Sequence, residues 1–164
     1  MTVPRIGVTL GDPGGVGPEI VLKVLAGRCS LPPASIIVFG DSRIVAGAAA
    51  SLGLSFTADP WRESERGKTG IYLYEVGCPD AERALHRPDA RNGDASFRFF
   101  EAAAAAARGG RLDAVVTGPV SSDLILRTLV SQVNTSFLKS CFRGFHPECA
   151  TSKWKSAILA GKRR

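Results

Sequence analysis

The chain has 164 residues, of which 45% are hydrophobic and 22% charged. This composition suits a single globular domain and excludes a disordered or fibrous chain. No apolar run has the length of a membrane span, and Met1-Thr2-Val3-Pro4-Arg5 lacks the features of a secretory signal, so a cytoplasmic protein with no membrane partner is expected.

Ile6–Leu10 is a short apolar run that reads as a buried strand. The glycine-dense turn Gly11-Asp12-Pro13-Gly14-Gly15-Val16-Gly17 follows it. Pro18 then suits the first turn of a helix, where its missing N–H costs nothing. Ile20, Val21, Val24 and Leu25 recur at helical spacing, and Gly27 can end the helix. Ser35–Phe39 is the second strand. Asp41 or Ser42 can cap a helix whose Ile44, Val45, Ala48, Ala49 and Leu52 share one face, with Gly53 as its terminator.

Trp61–Thr69 is polar and expected to be exposed, and Gly70–Val76 is the third strand. Asn92-Gly93-Asp94 is expected to open a long helix. Phe97, Phe100, Ala104 and Ala107 lie along one side of it, beside Phe99, Ala103 and Ala106. The alanine run Ala102–Ala107 favours helix and permits close packing, and Gly109-Gly110 ends it. Asp113–Thr117 is the fourth strand, followed by Gly118-Pro119 and a further helix through Leu124, Ile125 and Leu129, capped by Ser121 or Ser122.

Alternation of strand and helix with nearly continuous apolar strands implies an α/β fold with a parallel sheet covered on both faces. Ligands of such sheets bind beyond the carboxyl ends of the strands. Two loops therefore stand out as candidate sites, Gly11–Gly17 and Thr117–Val120. Asp12, Gly14, Gly15, Gly17, Thr117 and Gly118 are their candidate substrate- or cofactor-binding residues. Glycines let a phosphate or dinucleotide approach the backbone, and they equally serve a tight strand-to-helix turn. The spacing matches neither a dinucleotide G-x-G-x-x-G fingerprint nor a Walker loop. The Asp12 carboxylate suits a hydroxyl or ammonium better than a phosphate, and an Asx-turn is its structural alternative. Glu19 complements the helix dipole.

The four cysteines, Cys29, Cys78, Cys141 and Cys149, are scattered and read as free thiols. Cys141, His146 and Cys149 supply three potential zinc ligands without a clear fourth, and His86 reads as a surface residue. No catalytic residue and no metal ligand is assigned.

The formal charge of +6 is uneven. Residues 125–164 hold eight bases and one acid, a net +7, whereas residues 1–124 hold 13 bases and 14 acids, a net −1. From about Val130 the periodicity also ends. Residues 1–130 are thus expected to form the α/β part and residues 131–164 a basic tail of different origin; no nucleic-acid partner is expected.

Ile6-Gly7-Val8-Thr9-Leu10-Gly11-Asp12-Pro13-Gly14-Gly15-Val16-Gly17-Pro18-Glu19 resembles the opening of the 4-hydroxythreonine-4-phosphate dehydrogenase family of pyridoxal phosphate biosynthesis. Phe39-Gly40-Asp41, Asn92-Gly93 with its alanine-rich helix, and Val115-Val116-Thr117-Gly118-Pro119-Val120 follow in the family's order, so the resemblance covers residues 4–125. It implies an incomplete isocitrate/isopropylmalate-dehydrogenase-like fold and a homodimer. It also implies NAD- (or NADP-) and divalent-metal-dependent oxidation, with decarboxylation, of 4-phosphohydroxy-L-threonine or a related phosphorylated hydroxy acid. After Thr117-Gly118-Pro119 this chain has Ser121-Ser122 where the family places a basic pair. It also lacks the family's Gly-His-Thr motif and later metal-binding histidines. An inactive fragment, with a frameshift or gene boundary near residues 122–132, is therefore expected. A nucleotide- or phosphate-binding module without catalysis is the alternative.

Overall fold

The computed structural model describes residues 3–28, 31, 33–62, 64, 67–79, 90–120 and 159–160. Strand β1 (Arg5–Thr9) leads through the glycine loop to helix α1 (Gly17–Lys23), which ends in a wide turn at Val24–Arg28. Strand β2 (Ser35–Gly40) and helix α2 (Ser42–Leu52) follow, then β3 (Asp59–Pro60) and β4 (Gly70–Glu75). The long helix α3 (Ala90–Arg108) precedes β5 (Ala114–Thr117), and β6 is Leu159–Ala160. The sheet order is β3-β4-β2-β1-β5-β6. Strands β1 to β5 pair in parallel, and β6 runs antiparallel to β5.

The expected parallel α/β sheet is thus present, with each of the four expected strands in place. Two short strands were not legible. Asp59–Pro60 has only two residues and contains a proline, so it carries no alternation to read. Leu159–Ala160 lies where periodicity has ended. Leu10 lies just beyond β1 and yet is fully buried. The expected helix through Leu124, Ile125 and Leu129, the Cys141/His146/Cys149 triplet, His86, Ser121 and Ser122 fall outside the described residues.

Burial explains the sheet's centre. All six residues of β2 are buried, and its alternate side chains feed two cores. Ile36 and Val38 join Val21, Leu22 and Leu25 of α1 and its terminal turn with Ile44, Val45, Ala48 and Ala49 of α2. Ile37 and Phe39 pack on the other face with Tyr72, Leu112, Val115 and Ala103 and Ala106 of α3. Each fully buried large side chain, such as Phe39, Ile37, Leu22 or Ile44, contributes about 1.5–3 kcal/mol relative to exposure. Phe39 also stacks on Tyr74 at 4.9 Å between ring centroids.

Helix α3 differs from expectation in two respects. It already includes Ala90, so Asn92 is an internal, buried residue and not the opening cap. The most buried side chains, Phe99 and Ala103, lie on the flank the periodicity placed second, because that flank faces the sheet. The polar stretch after β3 is exposed at Arg62, Ser64, Gly67, Lys68 and Thr69, but Trp61 is half-buried. Its N–H donates to the Leu73 carbonyl at 2.8 Å, and its ring meets Tyr72 edge-on at 5.3 Å. No helix among the described residues is long and apolar enough to cross a membrane.

Candidate functional site

Strands β1 and β5 are neighbours, so the loops leaving their carboxyl ends meet. Thr9 pairs with Thr117 in register. The Gly118 N–H donates to the Thr9 carbonyl at 3.0 Å and lies 3.2 Å from the Thr9 hydroxyl. The Asp12 N–H donates to the Pro119 carbonyl at 3.0 Å. The two candidate loops are thereby stitched into one structure, which the sequence suggested only as two separate places.

The glycines explain how the loops come so close. Gly11 has φ +76°, and a Cβ there would stand 2.3 Å from the Pro119 carbonyl oxygen. At Gly17 it would stand 2.3 Å from the Leu10 oxygen, and at Gly118 2.6 Å from the Thr9 oxygen. The space freed at these three positions is occupied by neighbouring backbone. At Gly15 a Cβ would meet nothing closer than 3.6 Å. Gly14 and Gly15 are half-buried and Val16 is 58% exposed, so the tip of the loop, not its base, faces outward.

Asp12 adopts the Asx-turn. Its Oδ1 accepts from the Gly14 N–H at 2.8 Å, while its own carbonyl accepts from the Gly15 N–H at 3.1 Å. The residue is buried, and this desolvation pushes the carboxyl above its ordinary value; the Gly14 hydrogen bond offsets part of the rise. Thr117, half-buried, ends β5. Its lateral partner Thr9 is 1% exposed, and the pair lies on the α3 face of the sheet because Thr9 is in register with Phe39.

A second polar knot lies at the same edge of the sheet. Asp41, fully buried, caps α2 by accepting from the Arg43 N–H at 2.9 Å. It also accepts from Arg43 Nε at 3.1 Å, from Arg43 Nη2 at 2.9 Å and from the Cys78 N–H at 2.7 Å. Arg43 Nη2 in turn donates to the Cys78 carbonyl at 2.6 Å. Burial alone would raise the Asp41 carboxyl, but the bonds from Arg43 and Cys78, with the Arg43 charge, outweigh it and hold the carboxyl below its ordinary value. This knot ties the segment after β4 to the start of α2. The sequence offered Asp41 or Ser42 as the cap and the structure uses Asp41, whose long-range partner Cys78 had no local signal.

Three polar residues are 1–2% exposed: Thr9 and Ser96, which the sequence reading did not single out, and Asn92, which it placed at the helix opening. Polar residues on an otherwise apolar helical stripe were the available sign for the last two. Among the described residues no group of three histidine, cysteine, aspartate or glutamate side chains is arranged to hold a metal ion.

The family model described as "Pyridoxal phosphate biosynthetic protein PdxA" matches residues 33–149, a span that runs on past Val130. A 4-hydroxythreonine-4-phosphate dehydrogenase of Geobacter metallireducens is 35% identical over 133 residues, which cover 77% of this chain and 38% of the relative. A D-threonate 4-phosphate dehydrogenase of Bordetella bronchiseptica is 34% identical over 128 residues, covering 73% of this chain and 35% of that protein. The crystal structure of a 4-hydroxythreonine-4-phosphate dehydrogenase from Burkholderia phymatum superposes with a TM-score of 0.70 at 25% identity, over 86% of this chain and 44% of that one. The chain therefore spans under half the length of these relatives. The family model's match over residues 33–149, more than half of the sequence, shows that the chain belongs to the PdxA family of pyridoxal phosphate biosynthetic proteins.

Proposed function

We propose that this chain supplies the substrate-side α/β portion of a dehydrogenase acting on a small phosphorylated hydroxy acid. 4-Phosphohydroxy-L-threonine and D-threonate 4-phosphate represent the substrate class, with a nicotinamide dinucleotide as hydride acceptor and a homodimer as the working form. The observation that carries this reading is the joining of the Gly11–Gly17 and Thr117–Val120 loops at the carboxyl edge of β1 and β5, in a chain whose relatives are named dehydrogenases of such substrates.

The described residues do not fit a divalent metal, since Asp12 is the only carboxylate in the two loops. What these residues do is bind and orient. The Asx-turn at Asp12 holds the loop tip, and the Thr9–Thr117 pair places two hydroxyls at the strand ends. Hydride transfer and any metal chemistry then need groups beyond those described.

The test is isothermal titration of the 164-residue chain with D-threonate 4-phosphate and with NAD, followed by NADH absorbance with both present. Saturable binding of the phosphorylated acid without NADH formation is expected. NADH formation by the purified chain would overturn the view that it is catalytically incomplete. Failure to bind the phosphorylated acid would overturn the substrate class.

A further inference from the structure

We draw no further inference here: the strongest candidate, the apolar strip on the α1 side of the sheet, where exposure rises across the paired strands from buried Val38 through half-buried Val8 to Val116 at 38%, is an unpartnered face, and nothing in the structure shows what covers it.

Discussion

Gly15 and Gly17 lie two residues apart in one loop, yet the structure assigns them opposite sensitivities. A methyl at Gly17 would sit 2.3 Å from the Leu10 carbonyl oxygen and 3.2 Å from that of Pro119. Both are backbone atoms, so neither moves without shifting the end of β1 or the loop after β5. Overpacking of this kind costs about 1–3 kcal/mol, and a backbone obstacle puts Gly17→Ala near the upper end. At roughly 2–4 °C per kcal/mol for a chain of this size, its melting temperature should fall by about 6–12 °C. Gly15→Ala meets only Asp12 atoms at 3.6 Å, an ordinary contact, and its φ is not positive. Its effect should stay within about 1 kcal/mol, with loss of unfolded-state freedom acting in its favour. Thermal and urea unfolding, followed by circular dichroism, measure both variants. Equal tolerance at the two positions, or a larger loss at Gly15, would refute the argument that the base of the loop is packed backbone and only the tip is free.

Three further outcomes are expected. Asp41→Ala removes the α2 cap, worth about 1 kcal/mol, and strips the Cys78 N–H of its acceptor, worth about 1–3 kcal/mol; urea unfolding at neutral pH should show a loss of about 2–4 kcal/mol. Because the Asp41 carboxyl is held below its ordinary value of 3.8, the stability it supplies is present above that value and lost as pH falls through the lowered one. The gap between wild type and Asp41→Ala should therefore close in acid. Asp12→Asn keeps an oxygen for the Gly14 N–H but removes a carboxylate whose ionisation burial disfavours. Since the Asp12 carboxyl is raised, its cost to folding is absent below 3.8 and appears as pH rises through the raised value, so Asp12→Asn should gain in melting temperature over wild type from acid to neutral pH. Asp113→Ala should cost about 1–2 kcal/mol in urea unfolding, because Asp113 accepts from Arg5 Nε at 3.1 Å, Arg5 Nη2 at 3.0 Å and the Arg5 N–H at 2.9 Å, which clamps the starts of β1 and β5.

The sequence alone determined the strands at Ile6, Ser35, Gly70 and Asp113, the parallel α/β class and the ends of α2, because apolar runs, caps and glycine terminators act over a few residues. Gly53, at φ 61°, ends α2 as its position suggested, with the Leu54 N–H closing on the Ala49 carbonyl at 3.0 Å. The ordered motifs of the glycine loop and Thr117-Gly118-Pro119 pointed to the family for the same reason. Only the tertiary structure decided that these two loops touch, since the Asp12–Pro119 bond joins residues remote in sequence. It also decided that Gly11, Gly17 and Gly118 admit backbone, and that Asp41 is held to Cys78. Helical periodicity marked a broad apolar side of α3 but not which flank meets the sheet; the direction of approach set that, burying Phe99 and Ala103 most deeply. Local chemistry specifies local conformation, whereas the meeting of the loops after β1 and β5 exists only once the sheet order makes those strands neighbours.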